Sequence, residues 1–260
     1  MEEIMKNKIK QMIIDFVREY KNNNNTFTQW QEPLVGFADS ENALFYLYRE
    51  MIDENHLIPK DILPGAKTVV SYFIPFTEKL VRTNYKGDAP SREWAVAYSE
   101  TNKLLKSLGE YLIEKLDKIG AGANMARFDA PGFDTNKVIS YWSQRHIAYA
   151  AGLGTFGLNN MLITDKGCCG RFGSIVTDIV IEPDAVITKE RCLYKYSSTC
   201  KKCVEACPSK ALTVNGFDRH KCYELLLEYD KLFSDLELTE VCGKCVAMIP
   251  CSFINPLKNK

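Results

Sequence analysis

The sequence predicts an α/β (α+β) chain in two parts, a mixed domain over residues 1–187 and a small cysteine-rich domain over residues 188–260. Apolar residues recur at helical spacing in two segments of the first part, and β-branched runs outside them read as strands. Eight of the ten cysteines then crowd between Arg191 and Ser252. With 260 residues, 46% hydrophobic content and 33 basic against 33 acidic side chains, the chain is long enough for one sizeable core and a small second one. A net charge of zero gives no general pull toward nucleic acid or anionic membrane. The N-terminus MEEIMKNKIK carries acid where a signal peptide needs base and lacks the apolar run that follows, and no stretch approaches the length of a membrane span. The expectation is a cytoplasmic protein with no membrane partner, whose cysteines are reduced ligands rather than disulfides.

Residues 4–20 read as an amphipathic surface helix through Ile9, Ile13, Phe16 and Tyr20, ended by the polar run Asn22–Asn25. PLVGFAD reads as a short strand, and Asp39 or Ser40 as the cap of a helix with Ala43, Leu44, Leu47 and Met51 on one side. The aromatic residues of that helix either line a cofactor pocket or, by general burial tendency, fill the core. AKTVVSYFIPF has the composition of a buried strand limited by Pro75. Residues 79–97 lose all period and are expected to form a lid, a cofactor-facing loop or an ordinary surface excursion. Leu104, Leu105, Leu108, Leu112, Leu116 and Ile119 restore the helical period, and Gly120 suits the C-terminal cap.

The core of the cysteine-rich segment, CKKCVEACP, matches the tail of the bacterial ferredoxin run, in which closely spaced thiolates hold one cubane and the cysteine before proline serves another. Two cysteines separated by two residues can turn both sulfurs toward one cluster because the amides between them wrap around it. On the same crossover logic Cys192, Cys200 and Cys203 take Cys251 as fourth ligand, and Cys207 joins Cys222, Cys242 and Cys245, which makes two [4Fe-4S] sites in a ferredoxin-like domain. Seven residues between Cys192 and Cys200, and five between Cys245 and Cys251, depart from the usual spacing. A pair of four-cysteine zinc sites is the alternative, and colour distinguishes the two. Cys168 and Cys169 are left over, as a redox pair, replacement ligands or small buried thiols.

The stretch from Arg127 to Asp184 holds Gly152, Gly154 and Gly157 in G-x-G-x-x-G spacing with Asp178 downstream, as a dinucleotide-binding fold would. That fingerprint needs a strand before it and a helix after it, whereas VISYWSQRHIAYAA looks helical and LNNMLIT leads into a strand and the turn DKG. The glycines are better read as ending a helix and letting backbone approach a large flat ligand. His146, one of three histidines, is either a metal ligand or a satisfied helix residue.

In its order, AAGLGTFGLNNMLIT, then GRFGSIVTD, then the double cysteine segment resembles epoxyqueuosine reductase and, in turn, the corrinoid reductive dehalogenases. The resemblance runs over residues 30–255 and is most specific from Ala150 onward. It implies a nitroreductase-like α/β domain holding cobalamin beside two [4Fe-4S] clusters, with electrons passing through the clusters to cobalt and on to a substrate. A low-potential donor of ferredoxin or flavodoxin type would supply them. Carried over by position, Gly152, Gly154 and Gly157 match the family's glycine segment, and Gly173, Thr177 and Asp178 match the strand where the chain passes the corrin. Arg171, just before that strand, offers a planar fork of donors to a propionamide or phosphate, or is a solvated charge. Asn159 and Asn160 fall where the family has polar residues, and they equally suit a plain turn.

The family's general acid, an acidic residue followed by Ser-Ala-Pro, stands fourteen positions before the first glycine, and here that position is Val138. Asp134 and Tyr141 are the nearby side chains able to donate a proton, each with a plain reading beside it, as a turn acid and a buried aromatic. The chain ends nine residues after Cys251, without the helical-repeat extension that in longer relatives helps hold tRNA. Together with Val138 this implies a divergent reductase of an unidentified substrate other than a tRNA base. A non-catalytic electron carrier without corrin, and a flavin-dependent reductase, are the alternatives.

Overall fold

In chain order, the elements run α1 (Glu2–Asn24), β1 (Leu34–Asp39), α2 (Ala43–Met51), α3 (Pro59–Ile62), β2 (Thr68–Pro75), α4 (Glu78–Thr83) and α5 (Arg92–Asp117). They continue with β3 (Ala123–Asn124), β4 (Phe133–Asp134), β5 (Ile139–Ser140), α6 (Gln144–Ala150), β6 (Thr155–Phe156), β7 (Leu162–Ile163) and β8 (Gly170–Thr177). The cysteine-rich part adds α7 (Leu193–Ser197), α8 (Lys202–Glu205), β9 (Leu212–Thr213), β10 (Gly216–Phe217) and α9 (Arg219–Asp230). These elements come from a computed structural model that describes residues 2–126 and 132–259; Arg127, where the glycine-containing stretch begins, lies outside the described residues.

The central sheet has the order β1-β2-β8-β3 and every pairing in it is antiparallel. A doubly wound dinucleotide fold would need parallel strands here, so the G-x-G-x-x-G spacing has another cause. β2 is buried along its whole length because both faces of the sheet are covered. Val70, Tyr72 and Ile74 pack with Ile9 and Ile13 of α1 and Leu104, Leu108 and Leu112 of α5. Val69, one residue out of phase, turns to the opposite face and packs with Phe45 and Tyr48 of α2 and Ile147 of α6, as the two-residue period of a strand requires. The buried ammonium of Lys6 on α1 pairs with Asp184 at 2.7 Å, and Asp184 also accepts from the amide of Phe37, which ties the segment leaving β8 to α1 and β1.

Several local expectations are corrected. α2 is capped by Asn42, whose side chain accepts from Leu44 N at 3.0 Å, rather than by Asp39 or Ser40. Its buried face is Phe45 and Tyr48, while Tyr46, Leu47 and Met51 are exposed, so two of its three aromatic residues are core. The aperiodic stretch 79–97 is mostly helical, because α4 is capped by Thr77 and α5 by Ser91, and each cap satisfies first-turn amides. The run VISYWSQRHIAYAA gives β5 first and a helix only from Gln144.

The two parts share an apolar core. Phe76, Trp94 and Ile163 pack with Cys192, Phe233, Val241 and Val246, and the amides of Cys168 and Cys169 donate to the carbonyls of Cys251 and Ser252 at 2.9 and 3.1 Å. Gly243, at φ +70, brings the loop between Cys242 and Cys245 so close to Trp94 that a Cβ would stand 2.3 Å from the ring.

Candidate metal centres

The long gap after Cys192 is filled by α7. Cys192 is its N-cap, the helix makes little more than one turn, and Ser198 at φ +57 reverses the chain so that Cys200 returns toward its starting point. Cys203 lies in α8, and Cys251 arrives from the C-terminal segment that pairs with residues 168–169. These four cysteines line one small cavity, closed over by Gly157, Leu158, Ile249 and Pro250. The amide of Leu158 donates to the Cys192 sulfur at 3.4 Å.

Cys207, Cys222 on α9, Cys242 and Cys245 line a second cavity of about 340 Å³. Burial is the largest cause raising Cys203, Cys222, Cys242 and Cys245, whereas Cys251 is raised first by its hydrogen bond with Cys168 and then by burial. Cys203 is pushed up to about 12 by burial and then by Cys251, Cys192 and Cys200. Cys222 is pushed up to about 11 by burial and then by Cys242 and Cys207. Four thiolates crowded out of water persist only around a positively charged core, which is the condition an iron–sulfur cluster meets. Among the described residues no three His, Cys, Asp or Glu side chains converge as they would around a single ion. A zinc ion would draw four sulfurs to about 2.3 Å from one point, whereas each ligand of a [4Fe-4S] cubane sits on a different iron. Four cysteines around each cavity are the number of thiolates that a cubane takes.

The far wall of the second cavity belongs to the first domain: Phe76, Trp94, Tyr98, Arg145 and Arg171. Arg171 lies over the Tyr98 ring, 4.2 Å from its centroid, and its Nε is buried with no hydrogen-bond partner. That orphaned donor between aromatic walls suits an amide or anionic oxygen of a bound group. The volume is at the low end of small-ligand sites, so a group as large as a corrinoid would place only one part of itself here.

The remaining expected corrin contacts are not gathered around this cavity. Gly152, at φ +72, ends α6, and its missing Cβ makes room for the carbonyl of Ala185. The Cβ directions of Gly154, Gly157 and Gly173 are filled by Ile163 O, Asn159 Oδ1 and the Tyr72 ring. Thr177 and Asp178 lie at the other end of β8, roughly 20 Å from Arg171 by strand rise, where both bond to the carbonyl of Gly122. Of the seven residues, Arg171 lines the second cavity and Gly157 the first.

Asp134 and Tyr141 meet each other and line neither cavity. The Asp134 carboxylate accepts from the amides of Asn136 and Lys137 and from the Tyr141 hydroxyl at 2.9 Å. The Lys137 amide, then Tyr141, hold Asp134 below the usual carboxylate range, and its carboxylate closes the β4–β5 turn. Val138 ends that turn at φ +53, where β-branched residues seldom sit. His146 is bound to Ser143 at 2.7 Å and packed between the rings of Tyr48 and Phe156. Burial, then the charge of Arg145, pushes it down to about 4, so it is a neutral, satisfied helix histidine.

Asn159, expected as a family polar position or a plain turn residue, and Arg145, which the sequence did not single out, organise the site. Asn159 is buried and donates to the Cys245 carbonyl at 3.0 Å, which fastens the glycine loop to the cysteine-rich part. Arg145 donates to the Asn160 carbonyl at 2.6 Å beside the second quartet. Its signal was a basic residue at the start of an otherwise apolar helix.

No family model matches the chain. It is similar to the epoxyqueuosine reductase of Bacillus cereus, 26% identical over 216 residues, which is 80% of this chain and 52% of the relative. The chain thus spans about half the length of the curated relatives it matches. Among solved structures it is similar in fold to an epoxyqueuosine reductase bound to a modified tRNA-Tyr stem loop, with TM-score 0.52, 21% identity, and 92% and 64% of the two chains covered. It is similar also to a reductive dehalogenase of B12-dependent dehalogenation, with TM-score 0.55, 17% identity, and 84% and 29% covered. The mixed α/β fold and the resemblance expected from the glycine and cysteine segments are thereby found, and the named relatives are oxidoreductases.

Proposed function

We propose that this chain is a reductase that carries electrons through two [4Fe-4S] clusters to a group bound in the second cavity, with cobalamin as that group. The observation that carries the reading is the sorting of eight cysteines into two quartets, each around its own cavity, with the second cavity opening onto the first domain. Cys192, Cys200, Cys203 and Cys251 would hold the first cluster, and Cys207, Cys222, Cys242 and Cys245 the second. Similarity to epoxyqueuosine reductases and to a B12-dependent dehalogenase supports the reductive chemistry and the choice of corrinoid.

Cobalamin, when bound, supplies a strongly reducing cobalt centre. The chain's own part is to hold and shield. Arg171 offers its free Nε to an oxygen of the bound group, Trp94 and Phe76 exclude water from the cavity wall, and Asn159 keeps the glycine loop against the second quartet. Tyr98 and Glu240 line that cavity, whereas Asp134 and Tyr141 do not. The electron donor is of ferredoxin or flavodoxin type. A tRNA substrate is the choice suggested by the relative solved with a stem loop, but zero net charge and Val138 favour another.

Anaerobic titration of the cluster-loaded protein with cob(II)alamin, followed by visible and electron paramagnetic resonance spectra, tests the proposal. Stoichiometric binding with loss of the lower-base nitrogen signal is expected. Two loaded clusters with cobalamin left free would reject the corrinoid and leave a flavin or a partner protein as electron acceptor.

A further inference from the structure

We propose that Arg145 and Lys244 give the second cluster a higher reduction potential than the first, so that electrons enter at the first quartet and collect at the second, beside the substrate cavity. The inference rests on the reading of the two quartets as cluster ligands.

Reduction adds a negative charge to a cluster, so a cation held nearby without a counter-ion favours the reduced form. The effect grows as the surroundings exclude water. Arg145 lines the same cavity as Cys207, Cys222, Cys242 and Cys245, and its hydrogen bonds go to the neutral Asn160 carbonyl and Met161 sulfur. Lys244 lies between Cys242 and Cys245 in sequence and is only 4% exposed. Its ammonium donates to the carbonyls of Asn84 and Lys86 at 2.9 and 2.8 Å. Among the described residues neither cation has a carboxylate within 4.0 Å. One carboxylate shares this cavity, that of Glu240, which accepts from the neutral Tyr223 hydroxyl at 2.8 Å, so two cations stand against one acid, and Asp88 acts on Lys244 from beyond ion-pair range.

The first quartet has the opposite surroundings. Arg191 is neutralised by Asp165 at 3.1 Å and Lys202 by Glu205 at 2.8 Å, and Lys201 is exposed to water. A carboxylate stands next to a ligand there, since Glu190 accepts from the amide of Cys192 at 2.7 Å. The first quartet has two neutral candidate donors to sulfur, Leu158 N on Cys192 and the Cys168 thiol on Cys251, and the second has the Ser209 hydroxyl on Cys207, so the inference rests on the difference in full charge.

The test is an anaerobic potentiometric titration of the cluster-loaded protein read by electron paramagnetic resonance. Two midpoints are expected, the lower one surviving in Cys222→Ala, which lacks a ligand of the second cluster. Arg145→Gln and Lys244→Gln should each lower the higher midpoint by about 59 mV or more, a tenfold change in a one-electron equilibrium, and leave the lower one in place. Arg145→Lys should restore most of the shift. The inference is overturned if the higher midpoint is the one that survives in Cys222→Ala. It is overturned equally if fully loaded glutamine variants keep both midpoints, and should Arg145→Gln fail to load, Lys244→Gln decides alone. Iron and sulfide below two cubanes in the unaltered protein would defeat the cluster reading itself, and this inference with it.

Discussion

The sulfur of Cys168 lies 3.9 Å from that of Cys251, and the two residues are also joined through the Cys168 amide and the Cys251 carbonyl. Cys251 lines the first cavity with Cys192, Cys200 and Cys203, and Cys168, fully buried, lines the second. Cys168→Ala is therefore expected to keep its full iron and sulfide, while Cys251→Ala loses one cluster of two, about half the iron. Equal losses in both variants would make Cys168 a ligand.

Tyr141 spends its hydroxyl on a carboxylate that is already ionised, outside both cavities. Tyr141→Phe should leave the rate of substrate reduction within about tenfold of the unaltered protein. Removal of a true general acid costs about 10²-fold or more, and a fall of that size in a single-turnover assay would return Tyr141 to the chemistry.

A methyl group on Gly154 would stand 2.2 Å from the carbonyl oxygen of Ile163, a backbone atom held in the β6–β7 pairing. Gly154→Ala should cost about 1–3 kcal/mol in urea denaturation, the usual penalty for overpacking. A loss below about 0.5 kcal/mol would mean that the loop yields freely.

His146 is neutral in the folded chain because burial and Arg145 push it down to about 4 from its ordinary 6.5. The unfolded chain binds the proton first as pH falls, so stability is full above the unfolded value and declines between about 6.5 and 4. The loss should reach about 2–3 kcal/mol at the acid end of that window. His146→Gln should flatten this part of the profile in anaerobic denaturation, and an unchanged slope would assign the acid sensitivity to the clusters.

The sequence by itself determined the elements whose cause is local. The 3.6-residue period of Leu104 to Leu116 is enough to make α5, and the apolar run Thr68–Pro75 is enough to make a strand buried on both faces. Spacing also proposed two sets of cysteines, because a C-x2-C pair can turn both sulfurs to one cluster; Cys192, Cys200, Cys203 and Cys251 line one cavity, and Cys207, Cys222, Cys242 and Cys245 line the other together with Cys168. Tertiary structure decided the rest. G-x-G-x-x-G is the same string whether the glycines face a ligand or the carbonyls of Ala185 and Ile163, and only the packed neighbours distinguish the two. Asp134 and Tyr141 read as proton donors until the β4–β5 turn bonds them to each other. Arg145 and Lys244 are ordinary basic residues in one dimension. Their consequence comes from burial beside a quartet of thiols without a paired acid, which depends on how distant segments meet.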